Sequence, residues 1–420
     1  MRVEGTVNKR PIVVIGAGIV GVCCAAYLRR DGHEVVLVER EGPGEGVSKG
    51  NAGALSPGSC VPLAMPGVFG KIPGWLADPV GPLTIRPRYF LRALPWLVRF
   101  TLSARPKRVA QIADGLRALH RHVFECYEPL VAEAGCADLI RRTGTLAVYR
   151  NERAFADSQS DWQIRRDRGG ELRPVSGGEM REIEPELAPA YTHGMLIPDH
   201  GFSANPHRMV QALAARFVAG GGRLETAPVR ALRRGEGQSM AVLLDGDRRI
   251  EAERVVVAAG AWSGALVSPL GIRIPLETQR GYQVTLLDAG LEPRLPVVVS
   301  EGKFYATPME GGLRVAGTVE FAGLDAPPDY RRARRLLEQV RDLYPRVRTE
   351  KFSEWMCHRP CLPDSLPAIG APRGHPGLIL AFGHGHNGMT SGPVTGRLVA
   401  DLVAGRPPFI DPAPYSPDRF

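Results

Sequence analysis

Short runs built wholly or almost wholly of apolar residues recur along the chain at 12–15, 35–38, 254–259 and 378–382. Runs of this length without polar alternation predict strands of a parallel sheet, buried on both faces. The first enters the turn Gly16-Ala17-Gly18-Ile19-Val20-Gly21 and an apolar helix to about Arg30, stopped by Asp31-Gly32-His33. The second ends at Glu39. Ile112, Leu116, Leu119, Val123, Tyr127 and Leu130 stand at helical spacing and predict one long amphipathic helix over 110–135. Further helices are predicted at 176–186, at 206–220 with Asn205 as cap and Gly220-Gly221-Gly222 as stop, at 329–343, and at 393–404. Strand patterns fall at 139–149, 194–198 and 223–229, and at 240–244 and 249–251 on either side of the hairpin signal Asp245-Gly246. Residues 274–287, 296–300, 304–308 and 313–318 alternate like neighbours in an antiparallel sheet.

This order predicts an α/β protein of two interleaved domains. Helix 206–220, strand 223–229, the hairpin and strand 254–259 running into Gly260 supply the returning half of a Rossmann-type unit. The dinucleotide-binding domain is therefore discontinuous, over 1–60, 203–270 and 362–420. The remainder, 61–202 and 271–361, forms a substrate domain on a mixed, largely antiparallel sheet.

The turn 16–21 is G-x-G-x-x-G between a strand and a helix, the context in which that pattern binds a dinucleotide. Gly16 permits the tight turn, Gly18 lets a pyrophosphate approach the backbone, and Gly21 lets helix and strand pack closely. The helix N-terminus, with Ile19 and Val20, offers free N–H groups and positive dipole to phosphate. Glu39 stands eighteen residues after Gly21, where a carboxylate accepts hydrogen bonds from ribose hydroxyls and repels a 2′-phosphate. The pattern alone does not separate a flavin from a nicotinamide dinucleotide. The small-residue stretch 48–58 suits close wrapping around a cofactor.

Charge changes the picture little. The net charge of +9 and pI near 9.4 admit an anionic partner. The arginines are scattered, however, which fits a solvated surface, and no nucleic-acid-binding pattern appears. One stretch stands apart. Tyr89, Phe90, Leu94, Trp96, Leu97 and Phe100 fall among Arg86, Arg88, Arg92, Arg99 and Arg105. It reads either as a surface for an anionic membrane or as helices packed on the second domain. Seven cysteines without a C-x-x-C pair, and a polar start, point to a reducing, cytoplasmic setting, with membrane contact at most peripheral. No metal-ligand spacing is present.

Several motifs then line up in order: VVIGAGIVGV at 13–22, NAGALSPG at 51–58, RGYQVTL at 280–286, RPCLPDSLPAIG at 359–370 and GHGHNGMTSGP at 383–393. With them the chain resembles, over nearly its whole length, the bacterial D-amino-acid dehydrogenases of small-subunit type. These sit within the FAD amine oxidoreductases that include glycine, sarcosine and D-amino-acid oxidases. The resemblance implies FAD, its ADP half on the 16–21 turn with Glu39 and Arg40. It also implies that Ser48, Asn51, Ala52, Gly53 and Leu55 lie along the cofactor, that Val229 meets the adenine, and that Gly260 belongs to the same wall. The turn bearing Gly385, Asn387, Gly388, Met389 and Thr390 would face the flavin's pyrimidine edge, where negative charge develops on reduction.

The reaction implied is hydride transfer from Cα of an amino acid to flavin N5, giving an imine that water hydrolyses. No side chain is assigned as catalytic acid or base. Arg359, before Pro360 in the R-P-x-x-P-D motif, is the candidate carboxylate clamp, because a guanidinium holds a carboxylate in a bidentate fork. Tyr282 and Tyr305 are candidate hydroxyl donors, with Arg280 a further cation on the Tyr282 side. His386, or its neighbour His384, is a candidate contact to substrate or flavin. Sarcosine oxidases place a flavin-bonded cysteine near the position of Cys357; the dehydrogenase pattern implies non-covalent FAD. The acceptor would be a quinone or another oxidant. The alternatives are an O₂-using glycine or sarcosine oxidase and a flavin subunit of a heteromeric dehydrogenase.

Overall fold

The computed structural model describes residues 10–67, 81 and 83–420. The first of the expected buried strands, β1 (Ile12–Ile15), lies parallel between β2 (Val35–Glu39) and β14 (Arg254–Val257), in register Ile12↔Val35 and Ile12↔Arg254. Outward from β2 comes β10 (Arg223–Thr226); outward from β14 come β21 (Leu378–Phe382) and the short antiparallel β20 (Ala368–Gly370). The chain moves from β1 to one side and later to the other, so a crevice opens above the carboxyl ends of β1 and β14. Period-two alternation divides the strand between two layers. Ile12 and Val14 pack on the helices Ile19–Arg30, Pro206–Ala219 and Gly388–Ala404; Val13 and Ile15 pack on an antiparallel meander, β11 (Val229–Arg234), β12 (Met240–Leu244) and β13 (Arg249–Ala252).

The second large sheet has the order β19 (Phe352–Cys361), β15 (Glu277–Leu286), β18 (Gly312–Phe321), β17 (Phe304–Met309), β16 (Val297–Val299), β6 (Thr145–Tyr149), β8 (His193–Ile197) and β7 (Arg173–Ser176), with β4 (Leu83–Ile85) alongside β18. Its pairs are antiparallel except β16–β6 and β18–β4. One face carries the helix Arg331–Leu343, whose Leu336 and Val340 share a buried cluster with Val284, Leu286 and Val315 of the sheet. All ten residues of β15 are buried, so the opposite face is covered as well.

Four sequence expectations differ from the structure. The helix expected over 110–135 is two, Pro106–His120 and Val123–Glu133. Leu119 and Val123 are both fully buried, so the apolar period runs through the break at Arg121-His122. The strand expected over 139–149 is interrupted between Ile140–Arg141 and Thr145–Tyr149, where Gly144 takes φ +80°. The strand 223–229 ends at Thr226 because Pro228 cannot continue a ladder, and Val229 opens the meander instead. The last helix begins at Gly388, five residues before the expected Pro393. Pro393 has no N–H for the Met389 carbonyl four residues back. The Tyr127 hydroxyl donates to that carbonyl instead, at 2.7 Å.

Candidate active site

A cleft of about 530 Å³ lies over the 16–21 turn. Gly16 sits at φ +101°, and a Cβ there would stand 2.5 Å from the Ala258 carbonyl oxygen. At Gly18 a Cβ would meet nothing nearer than Ser48 Oγ at 3.6 Å, so the backbone is open to the cleft. Two helix N-termini reach the cleft wall, at Ile19 and at Gly388; neither has an acidic residue in its first turn or a side-chain cap. Ser48 Oγ accepts from Ile19 N at 3.1 Å and ties the following loop to the first of them. Glu39 is held at the rim, accepting from the Ala17 and Arg40 amides at 2.6 and 2.8 Å. Open backbone donors, unopposed helix dipoles and a rim carboxylate fit a dinucleotide diphosphate and its ribose.

Of the residues singled out from sequence, Gly16, Gly18, Ile19, Val20, Glu39 and Arg40 line this cleft, as do Ser48, Asn51, Val229 and Gly260. Gly385, Gly388 and Met389 line its far end. Gly21 lies beneath the turn, where a Cβ would stand 1.8 Å from the Gly16 carbonyl oxygen. Ala52, Gly53, Leu55, Asn387 and Thr390 stand outside the cleft wall. Most of them brace it. Gly53 N donates to Asn51 Oδ1 at 2.7 Å, Leu55 is in the core, and Asn387 begins the last helix. Thr390 Oγ1 donates to the Ala54 carbonyl and accepts from Ser56 N, so the 51–58 loop is pinned to that helix. Sequence reasoning missed Trp262, whose ring lies 4.0 Å from the Arg40 guanidinium on the cleft wall.

Beside this cleft, Arg359 on β19 pairs with Gln279 on β15. Its guanidinium lies against the Cα of Gly281, where a Cβ would come within 2.0 Å of Cζ, and Nη1 donates to the Thr318 carbonyl at 2.9 Å. Gly385 N donates to the Pro360 carbonyl at 2.8 Å, so the turn 383–387 is fastened to the strand just beyond Arg359. Gly383 and Gly385, at φ +89° and +56°, allow that turn. His386 Nε2 stands 3.2 Å from Gln279 Oε1. The protein packed around it and the Arg359 charge lower the His386 imidazole below its ordinary value, although the residue remains exposed. His384 is also pushed down to about 3, by burial and by His120; its Nε2 lies 2.9 Å from Thr395 Oγ1, a structural contact. Gln279 and Gly281 share a face with Arg359, and alternation within the RGYQVTL strand is the signal that points to them.

The tyrosines separate. Tyr305 lies on β17, its hydroxyl 3.5 Å from Thr145 Oγ1, and burial raises its pKa. Tyr282, expected from sequence as a hydroxyl donor to substrate, does not reach the cleft: it is fully buried on the opposite face, donating to Glu320 Oε2 at 2.6 Å and accepting from Asp329 N at 3.0 Å. Arg280 goes with it, bonded to the carbonyls of Gly323 and Ala326 and 3.7 Å from Glu320. The buried Glu320 carboxylate, which also accepts from Arg86 at 2.7 Å, draws both away from the cleft. Cys357 pairs with Gly281 and is buried; all seven cysteines are free thiols. Arg314 was also missed. Its guanidinium donates to the Asn51 carbonyl at 2.7 Å and to Lys49 O at 3.2 Å, and burial lowers its pKa to about 10. It clamps the loop that walls the cleft.

Residues 11–402 match the family model described as FAD dependent oxidoreductase. The chain is 38% identical over 418 residues to a D-amino-acid oxidase of Bradyrhizobium diazoefficiens, covering 98% of this chain and 99% of that one. It is 35% identical to a D-amino acid dehydrogenase of Paramagnetospirillum magneticum, covering 97% and 98%. Among solved structures, glycine oxidase from Geobacillus kaustophilus superposes with TM-score 0.76 at 23% identity, over 98% of this chain and 99% of that chain. L-proline dehydrogenase from P. horikoshii gives 0.74 at 20%, over 98% of each. These last two likenesses concern the fold.

Proposed function

The chain belongs to the FAD-dependent oxidoreductase family, and from that membership we propose that it oxidatively deaminates D-amino acids. FAD is its cofactor. Bound FAD would supply the two-electron oxidant for the substrate's Cα–N bond, and water would hydrolyse the imine so formed to a 2-oxo acid and ammonia. The chain's own residues then have defined tasks. Arg359 holds the substrate carboxylate in a fork beside the turn 383–387. His386, kept in place by Gln279, walls the site beside the turn. Tyr305 offers its hydroxyl from β17. The helix N-terminus at Gly388 would favour negative charge developing on a reduced flavin held beside it. Residues 1–60, 203–270 and 362–420 act as the cofactor unit, and 61–202 with 271–361 as the substrate unit.

The observation that carries this reading is the guanidinium of Arg359 beside the dinucleotide cleft, in a chain alike end to end with proteins named for D-amino acids. The electrons pass on to a quinone or another acceptor. Likeness to a D-amino-acid oxidase favours O₂ as a second reading of that acceptor. FAD is bound non-covalently, and acid precipitation is expected to release the yellow colour into the supernatant. The deciding experiment is anaerobic mixing of yellow protein with D- and L-amino acids, D-proline, hydroxyproline isomers, glycine and sarcosine. Bleaching of the flavin band by D-amino acids and not by their L forms is expected. Bleaching by glycine or sarcosine alone would replace the reading with a secondary-amine one. Admitting air then separates O₂ from other acceptors.

Gly281 provides a check that leaves Arg359 in place. In Gly281→Ala the new methyl would occupy the guanidinium's position, and the flexible arginine end would swing aside while the strand stays paired. A displacement of about 1 Å costs roughly 100-fold. A fall in kcat/KM of that order is expected, with FAD content and melting temperature near those of the parent. Unchanged kinetics would show that the present guanidinium position is not the working one.

A further inference from the structure

The helix Phe90–Ser103 turns an apolar face outward. Phe90, Leu91, Leu94, Val98 and Leu102 are 44, 78, 41, 52 and 47% exposed. Leu91, Leu94, Val98 and Leu102 follow i, i+3, i+7, i+11 and form one stripe. Contiguous exposed apolar surface of this kind marks a contact with another body. Arg88, Arg92 and Arg99 border the stripe on one side; all three are exposed and make no ion pair among the described residues. From residue 83 to residue 113 the chain carries seven Lys or Arg and no Asp or Glu. The inward face is firmly seated. Trp96 Nε1 donates to the Cys361 carbonyl at 3.2 Å, and the Trp96 ring stacks on Phe100 at 5.2 Å and packs on Phe321. The aromatic residues counted toward a surface role from sequence therefore divide: Trp96 and Phe100 hold the helix to the body, while Phe90 joins the outward leucines.

We propose that the outward face of the helix Phe90–Ser103 seats the enzyme on an anionic lipid leaflet. The stripe sinks below the phosphates while the arginines bind them in bidentate fashion. A second copy of this chain would bring its own arginines against these, without acids to meet them, so charge complementarity favours lipid. The inward face of the helix rests on the end of β19, two residues beyond Arg359. This deepens, and rests on, the reading that electrons leave to a quinone. Anaerobic flavin bleaching, which needs no lipid, tests that enzyme separately.

FAD-loaded full-length protein is to be co-sedimented with phosphatidylcholine vesicles with and without phosphatidylglycerol. Binding to the anionic vesicles alone, weakened by salt, is expected. At about 1 kcal/mol per arginine near such a surface, Arg92→Gln with Arg99→Gln should weaken binding roughly 30-fold. Leu91→Asp with Val98→Asp should abolish it, and both pairs should leave anaerobic bleaching unchanged. No binding to anionic vesicles overturns the proposal, as does binding that neither pair alters. So does size-exclusion evidence that the wild type self-associates through this face and the Leu91/Val98 pair does not, since the face would then join two copies.

Discussion

Arg359→Ala is expected to lower kcat/KM for a D-amino acid by about 10²- to 10³-fold, mostly through KM, in protein that stays yellow and folded. Truncating one partner of a buried, hydrogen-bonded charge pair costs about 2–5 kcal/mol, much of it from leaving the other charge unpaired. Here the unpaired group would be the substrate carboxylate. The fold should tolerate the change, because the described partner of the guanidinium is a single carbonyl, that of Thr318, and a typical hydrogen bond contributes about 1 kcal/mol. FAD binding is served by the separate wall from Gly16 to Glu39 and should not respond. Arg359→Lys keeps the charge but loses the fork, so it should recover only part of the affinity. Anaerobic stopped-flow traces of flavin bleaching against amino-acid concentration separate the binding and reduction steps. Wild-type dependence on concentration in a yellow Arg359→Ala protein would remove Arg359 from the carboxylate site. A large loss of melting temperature would instead assign it a structural role.

What the sequence disclosed tracks how local each determinant is. The 16–21 turn and Glu39 were readable because the residues that shape the dinucleotide wall stand within one strand–helix–strand unit. Arg359 was readable from its motif, but the face it shares was not. Alternation places Tyr282 and Gln279 on opposite sides of β15, yet nothing in that strand says which side carries Arg359. That is decided by Glu320, on β18, whose buried carboxylate takes the Tyr282 hydroxyl and stands beside Arg280, and by the helix Arg331–Leu343 behind them. The register shift between Arg280 and Tyr282 in the β15–β18 pairing is likewise a property of two strands. The start of the last helix depended on a partner more than two hundred residues away, Tyr127, which satisfies the carbonyl that Pro393 leaves free. Read alone, Pro393 marks a helix start, because a first turn tolerates proline best. The outward leucines of the helix Phe90–Ser103 were visible as apolar residues, but their exposure depends on Trp96 taking the inward position.

Gly21→Ala should do the opposite of Arg359→Ala: it should remove FAD and leave nothing for the substrate site to act on. The Gly21 Cβ would lie 1.8 Å from the Gly16 carbonyl oxygen and 2.9 Å from its carbon. Both are backbone atoms, so no side chain can swing aside. Gly16 cannot yield either, since its own Cα faces the Ala258 carbonyl, which would stand 2.5 Å from a Cβ there. The helix Ile19–Arg30 must therefore back away from β1. Its far side is blocked, because the helix Gly388–Ala404 crosses it closely at Gly396, where a Cβ would come within 2.6 Å of the Cys23 carbonyl oxygen. Overpacking a well-filled core costs about 1–3 kcal/mol, and more where backbone must move. The same shift carries the N-terminus of the helix away from the phosphates it would bind, so loss of cofactor and loss of stability should appear together. The expected product is colourless or FAD-poor protein with a melting temperature several degrees lower, partly restored by excess FAD through mass action. A yellow Gly21→Ala protein with parental stability and FAD affinity would mean that the helix and β1 are less tightly opposed than the 1.8 Å approach requires.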